Sequence, residues 1–187
     1  MVVQPCNRTD YMGNNPAIAK PSSWVARFAP LIAPGGAVLD LASGGGRHAR
    51  LLLDRGHAVT ALDRDITQAH LAHGAELISA DLEDGSPWPL AGRVFAGIVV
   101  TNYLWRPLFA PLIATLEPGG VLIYETFAQG NEAFGRPRNP DHLLQAGELL
   151  RACAELTVIA YEHGIDGASV IQRICATNAP NPRQLNP

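Results

Sequence analysis

The chain has 187 residues, enough for one domain with a sizeable core and too few for two ordinary ones. A composition of 47% apolar and 17% charged residues describes a globular protein, and a formal net charge of −3 gives no global attraction to nucleic acid or anionic membranes. Three cysteines, Cys6, Cys153 and Cys175, are odd in number and widely spaced, which argues against a disulfide framework or a metal motif and for free thiols in a reducing compartment.

The opening stretch MVVQPCNRTD has no long apolar core and does not read as a signal peptide, so a cytoplasmic protein is expected. Residues 1–21 are polar and interrupted by Pro5, Pro16 and Pro21, which predicts an arm: either a loose terminus or a flap over the site. Ser22 and Ser23 can cap a helix over 24–32 that places Trp24, Phe28, Leu31 and Ile32 on one face. Pro34-Gly35-Gly36 ends it and introduces a strand; no internal repeat is visible.

Residues 37–49, AVLDLASGGGRHA, organise the rest. An apolar run (Ala37, Val38, Leu39) meets Asp40, the turn Gly44-Gly45-Gly46 follows, and apolar Ala49, Leu52 and Leu53 mark a helix over 48–55. Glycine belongs where backbone takes positive φ or a ligand approaches closely. Strand, glycine turn and helix build a nucleotide-type pocket at the carboxyl end of a strand. Gly44 to Ala49 also satisfies the dinucleotide fingerprint G-x-G-x-x-G/A, a weak signal alone. Asp40 discriminates, because a carboxylate beside the turn repels a pyrophosphate but suits an amino group or a sulfonium.

The run VLDLASGGGRHA resembles motif I of the class I S-adenosylmethionine (SAM)-dependent methyltransferases, usually V-L-D-L-G-C-G-x-G, with Ala42 where the first glycine is commonest. The resemblance implies an α/β fold: a doubly wound, Rossmann-like, seven-stranded, mostly parallel sheet with a C-terminal antiparallel hairpin. It implies SAM as methyl donor, with Asp40, Ala42, Ser43, Gly44, Gly46 and Arg47 at the cofactor. Arg47, a cation at a helix N-terminus where the macrodipole disfavours it, is expected on the methionine carboxylate or, alternatively, exposed to solvent.

A second strand, 58–62, ends at Asp63, about twenty residues past the glycines, where an acid can accept both hydroxyls of a ribose. Asp63 or Asp65 could instead cap a helix over 66–73. A third strand, 75–80, runs into Asp81-Leu82; the resemblance places Asp81 on the adenine amino group and the next backbone N–H on a ring nitrogen. Arg64 belongs to the same cofactor set. Residues 83–92 read as a loop carrying Trp88, packed on the core or near the adenine end.

Residues 94–100 are continuously apolar, as a central parallel strand requires. Residues 94–116 are about long enough to span a bilayer, but Asn102, Arg106, Pro107 and Pro111 point to strand, turn and helix instead. Thr101-Asn102-Tyr103-Leu104-Trp105 corresponds to the family's motif IV, beside the transferred methyl, without the paired prolines of enzymes that methylate base amines. Thr101 joins the cofactor set and Trp105 the substrate side.

A helix is expected over 108–116, and LEPGGVLIYE again looks like the family's turn into a strand, here 121–125. Residues 126–142 form a long loop rich in glycine, asparagine and arginine, expected on the acceptor side. Arg136, Arg138 and His142 are its candidate substrate contacts; alternatively the arginines pair with Glu132 and Asp141 and order the loop. A helix over 143–153 and strands over 157–162 and 169–176, joined by Gly164-Ile165-Asp166-Gly167, finish a domain spanning 22–177, followed by a Pro/Asn-rich tail, 178–187.

These features are similar to the small single-domain enzymes of the tellurite-resistance methyltransferase type. The expected activity is in-line methyl transfer from SAM to a small acceptor, with Asn102, Tyr103 and Glu125 as candidate catalytic residues. His48, His70 and His73 are expected on helices, on the surface or behind the site, and no metal site is expected. A small-molecule acceptor is favoured, RNA or protein remains open, and neither DNA nor membrane is expected as a partner. An NAD(P)-linked oxidoreductase and a non-catalytic SAM-binding protein are the alternatives; Lys20, the lone lysine, disfavours a Tyr/Lys oxidoreductase.

Overall fold

A computed structural model describes residues 20–180. Residues 1–19 of the expected arm and 181–187 of the expected tail lie outside them. Seven strands form one sheet: β1 (Ala37–Leu41), β2 (Ala58–Asp63), β3 (Glu76–Ser79), β4 (Phe95–Thr101), β5 (Leu116–Phe127), β6 (Thr157–Asp166) and β7 (Ser169–Thr177). Their order is β3-β2-β1-β4-β5-β7-β6, with the first five parallel and β7 antiparallel to both β5 and β6. The chain winds outward from β1, returns to β4 beside it, and winds the other way. That reversal opens a crevice at the carboxyl edge between β1 and β4. This is the doubly wound sheet with a closing hairpin that the sequence predicts.

The pleat divides the core. Val38, Val59, Ala61, Val99, Val121 and Ile123 face one side, where α1 (Ser23–Phe28) and α2 (Arg47–Asp54) bring Trp24, Val25, Phe28, Ala49 and Leu52. Leu39, Leu41, Leu62, Ile98, Val100 and Leu122 face the other, against Leu112 of α3 (Phe109–Ala114) and Leu149 of α4 (Glu148–Ala152). Every residue of β4 is buried, because both of its faces are covered. Full burial of each such aliphatic side chain stabilises by roughly 1.5–3 kcal/mol.

Several elements differ from the expected ones. The first helix is α1 followed by a 3-10 turn, Ala29–Leu31, that brings Pro30 into the chain's exit toward β1. The helix expected over 66–73 is only a 3-10 turn, Ile66–Gln68. The chain beyond it is tied to the glycine turn: Leu71 N–H donates to Gly45 O at 3.1 Å, and Ala72 packs against Gly46. The helix expected over 143–153 shrinks to α4, because Leu144 bridges to Ala128 beside β5 and Gly147, at φ +68°, starts the helix only afterwards. β5 is longer than expected and includes the Pro118-Gly119-Gly120 turn. The hairpin strands are also longer, and the turn between them is Gly167-Ala168. No helix among the described residues is long and apolar enough to cross a membrane.

Candidate active site

The glycine turn lies where β1 meets α2. Ala42 has φ +53°, Gly44 +50° and Gly46 +80°, so the chain enters left-handed conformation three times in five residues. Ser43 N–H donates to Leu62 O at 3.1 Å and Gly46 N–H to Ser43 O at 2.9 Å, which closes the turn against β2. A Cβ on Gly46 would come within 2.8 Å of the backbone nitrogen of Ala72, whereas one on Gly44 would meet nothing within 4 Å. The Gly46 position is thus packed shut, and the Gly44 position faces open space.

Asp40, the penultimate residue of β1, is buried and accepts the Ala49 N–H at 2.8 Å. Burial raises its pKa to about 7; the Ala49 N–H and the Arg47 charge partly offset that, and Asp63 adds to it. Its carboxylate serves the first turn of α2 rather than the wall of a cleft. Gly46 leaves that helix without a side-chain cap, and Asp40 supplies the missing acceptor from the strand below.

Asp63 ends β2 and holds the turn from the other side, with Oδ2 accepting Gly44 N–H at 2.8 Å and Oδ1 accepting Asp65 N–H at 3.0 Å. It is Asp65 that caps the following 3-10 turn, through Thr67 N–H. The capping role weighed for these acids therefore falls to Asp65, and Asp63 instead braces the glycine turn. Asp63 lines a cleft of about 370 Å³ whose walls also include Ala42, Arg64, Asp81, Leu82, Asn102 and Tyr103. These residues follow the ends of β1, β2, β3 and β4, so four strand ends converge on one space. Phe127, Pro137 and His142 close its far side.

At the end of β4, Thr101 is buried and Asn102 turns the chain at φ +55°, its N–H donating to Glu125 O at 2.9 Å. Asparagine tolerates this conformation better than most residues. Tyr103 is anchored through its carbonyl, which accepts the buried Tyr124 hydroxyl at 2.8 Å. Burial, followed by the nearby Glu83 carboxylate, raises the Tyr103 pKa, so its phenol stays protonated and is no anionic base.

His48 is buried and lies behind the site, the second of the two placements expected for it. Its Nε2 accepts Ser22 N–H at 3.1 Å, which leaves the proton on Nδ1, 3.4 Å from Thr101 Oγ1. Desolvation and then the Arg47 charge lower its pKa to about 4. The expected helix carrying His70 and His73 is absent. Ser22 Oγ accepts the N–H groups of Trp24 and Val25 as the cap of α1 and donates to Glu125 Oε1 at 2.8 Å. Arg173 meets the other Glu125 oxygen at 3.3 Å. Hydrogen bonds therefore run from Thr101 through His48, Ser22 and Glu125 to Arg173, tying α1 to the edge of the sheet.

A second cleft of about 330 Å³ opens on that side, lined by Arg47, Glu125, Asp166 and Arg173, and it shares Asn102 and Phe127 with the first. Arg47 has no ion pair among the described residues. Trp105 lies elsewhere, with Trp88 in a third cleft of about 700 Å³ beyond Asp81 and Glu83. Arg136 and Arg138 are exposed, line none of these clefts, and do not pair with Glu132 or Asp141. The loop is held instead by Arg106, which donates to Glu148 Oε1 at 2.7 Å, to Asp141 O at 2.7 Å and to Leu143 O at 2.9 Å. Asn131 adds bonds to Pro137 O and from Val170 N–H. Ser22, read from sequence as a helix cap, does cap α1; that Ser22, Arg106 and Arg173 also reach the site region was not legible, because their partners lie 35 or more positions away.

The residues present fit a nucleoside carrying an amino acid tail. The Ser43 hydroxyl is buried without a partner in the turn, and carboxylates rather than cations line the nucleoside cleft beside Arg64. Such a lining suits ribose hydroxyls and an amino group and disfavours phosphates. Among the described residues no group of three or more His, Cys, Asp or Glu side chains could hold a metal ion.

No protein-family model and no curated protein sequence matches this chain. Solved structures do. TehB from Haemophilus influenzae superposes with TM-score 0.65 at 17% identity, over 82% of this chain and 60% of its own, so this chain spans about three-fifths of that protein. A SAM-dependent methyltransferase from Mesorhizobium loti gives TM-score 0.64 at 19% identity, over 82% of this chain and 96% of its own. The glycopeptide N-methyltransferase MtfA, complexed with S-adenosyl-L-homocysteine, gives TM-score 0.58 at 21% identity, over 85% and 90% respectively. The likeness is one of fold: the chain has the architecture of these SAM-dependent methyltransferases.

Proposed function

We propose that the chain is a SAM-dependent methyltransferase acting on a small-molecule acceptor. The observation that carries the reading is the convergence of the glycine turn, Asp63 and Asp81-Leu82 on one cleft at the switch point of a methyltransferase-type sheet. When bound, SAM supplies a methyl group already activated on a cationic sulfur.

In this reading Asp63 accepts the ribose hydroxyls while fixing Gly44. Asp81 accepts from the adenine amino group, and the Leu82 N–H meets the ring. Ala42, Ser43 and Gly44 let the backbone approach while Gly46, packed on Ala72, holds the turn; Thr101 supports the floor through His48, and Arg64 bounds the ribose end. Arg47, unpaired at the start of α2, holds the methionine carboxylate. Asp40 acts on the turn from beneath, through Ala49. Asn102 sits where the two clefts meet and is the residue best placed to accept a hydrogen bond from the acceptor. Tyr103 offers a neutral hydroxyl, and Glu125, held by Ser22 and Arg173, sets the charge nearby. Phe127, Pro137 and His142 exclude water from the acceptor side, which leaves approach geometry as the main catalytic contribution, on the order of several kcal/mol.

Calorimetry tests the reading. SAM and S-adenosylhomocysteine should bind with micromolar affinity and NAD(H) should give no signal; NAD(H) binding without a SAM signal would overturn it. Release of S-adenosylhomocysteine during incubation with SAM and cell extract separates an enzyme from a protein that only binds SAM.

A further inference from the structure

We infer that His142 is the base of the reaction, and that the acceptor arrives carrying a proton, as a hydroxyl, thiol or ammonium group. The inference rests on the methyl-transfer reading above and concerns the same cleft. His142 lines its far side with Phe127 and Pro137. The imidazole has no hydrogen-bond or ion-pair partner among the described residues. Its backbone, by contrast, is held on every side. The His142 N–H donates to Asn139 O at 3.0 Å. The carbonyls before and after it, Asp141 O and Leu143 O, accept from Arg106 at 2.7 and 2.9 Å. Glu148 fixes that guanidinium with both oxygens, at 2.7 and 3.1 Å. Pro137 O accepts from Asn131 Nδ2 at 3.3 Å. A clamped backbone under a free ring leaves the imidazole to a ligand, with Arg106 as its positioning residue.

Imidazole is the side chain that takes up a proton near neutral pH. The other proton-accepting groups nearby are engaged. Asp63 accepts a backbone N–H on each oxygen. Asp81 accepts Glu83 N–H at 3.0 Å and, in the methyl-transfer reading, serves adenine. Glu83 lies against the Tyr103 hydroxyl, which stays protonated. Glu125 belongs to the neighbouring cleft and is bonded to Ser22 and Arg173. An imidazole nitrogen of His142 therefore takes the acceptor's proton. The lone pair of the acceptor atom forms the bond to the methyl carbon while the C–S bond breaks, its electron pair staying on sulfur. Methylated acceptor, S-adenosylhomocysteine and imidazolium result. His142 is exposed, so the imidazolium returns its proton to water. A positioned base contributes about a hundredfold or more to the rate.

Two measurements test this. SAM and S-adenosylhomocysteine differ by one methyl group and one positive charge. The charged groups on the cleft and beside the loop, Asp63, Arg64, Asp81, Glu83, Asp141 and Arg106, are common to both complexes. Even across water, a unit charge within about 8 Å lowers the proton affinity of an imidazole about twofold. In NMR titrations of histidine-labelled protein, the His142 midpoint should therefore fall by at least about 0.3 pH unit with SAM relative to S-adenosylhomocysteine. Exposed His73, which precedes β3 at the opposite edge of the sheet, should not move. His142→Ala identifies the resonance. The second measurement is release of S-adenosylhomocysteine by purified protein given SAM and the deproteinised small-molecule fraction of cell extract. His142→Ala should lose about tenfold or more at neutral pH and regain rate on addition of free imidazole. Its S-adenosylhomocysteine affinity should stay within about twofold. Equal His142 midpoints in the two complexes, an undiminished rate, or a loss that imidazole does not restore would each overturn the inference. Absence of S-adenosylhomocysteine binding or of its release by the wild type is a separate result that removes the methyl-transfer reading.

Discussion

The carboxylate of Asp40 accepts the backbone N–H of Ala49 at 2.8 Å, so a buried acid of β1 caps the helix that follows the glycine turn. Its pKa is raised to about 7 from 3.8, chiefly by burial. Between those values the folded chain keeps a proton that the unfolded chain has released, so its contribution is fully present below about pH 4 and is lost as pH rises to about 7. Integrated over roughly three pH units the effect is on the order of 4 kcal/mol. Asp40→Asn keeps an acceptor for Ala49 and should abolish this slope, as urea denaturation at pH 5 and pH 8 would show. An unchanged slope would mean that Asp40 titrates normally.

His48 carries the opposite sign. Its folded pKa, lowered to about 4 from 6.5 by desolvation first, makes its contribution present above pH 6.5 and lost as pH falls toward 4. Over that window it works against Asp40. His48→Gln retains an acceptor for Ser22 N–H and should expose a steeper decline of stability with rising pH than the wild type shows. A variant with the wild-type profile would assign the titration to another group.

Ala42 holds φ +53°, a conformation that costs a residue with a Cβ about 1 kcal/mol. Ala42→Gly should therefore raise the melting temperature by a few degrees, despite the greater freedom of glycine in the unfolded chain. Ala42→Val, branched at Cβ, should lower it. A fall in melting temperature for the glycine variant would show that the turn is not strained there.

Asp63 and Asp84 are both acids near the cleft, but only Asp63 binds the glycine turn; Asp84 accepts from Ser86 N–H in its own loop. Asp63→Ala should weaken SAM about tenfold to a hundredfold, the range for losing hydrogen bonds to a charged acceptor. Asp84→Ala should leave affinity within about twofold. Calorimetry decides, and equal small effects would reduce Asp63 to a structural role.

Arg106, rather than Arg136 or Arg138, holds the loop that borders the cleft. Arg106→Ala leaves Glu148 and two carbonyls without their partner and should destabilise the fold by about 1–3 kcal/mol. It should also raise amide exchange over residues 139–146. The double variant Arg136→Ala, Arg138→Ala should leave exchange and SAM affinity within experimental error, because neither side chain lines a cleft. Protection lost equally in both variants would contradict this account.

The glycine turn, the acids at three successive strands and the apolar run of β4 were legible in the sequence because each depends on local rules: positive φ wants glycine, parallel strands buried on both faces are apolar, and loops after strands carry polar groups. The doubly wound, mostly parallel sheet with its C-terminal hairpin also followed, once the run 38–46 was compared with a known motif; the strand order came from the structure. Local rules could not tell that Asp40 would turn beneath the site to cap α2 while Asp63 faced the cleft, since both stand at or near the end of a strand and differ only in what packs around them. Nor could they show that Leu71 N–H would bond to Gly45 O in the glycine turn instead of continuing a helix. Ser22, Glu125 and Arg173 are separated by up to 151 positions and meet only because β5 and β7 are neighbours in the sheet. Sequence determined which groups stand at the carboxyl edge; burial and long-range pairing, which depend on the whole folded chain, decided which of them line the cleft and which hold the others in place.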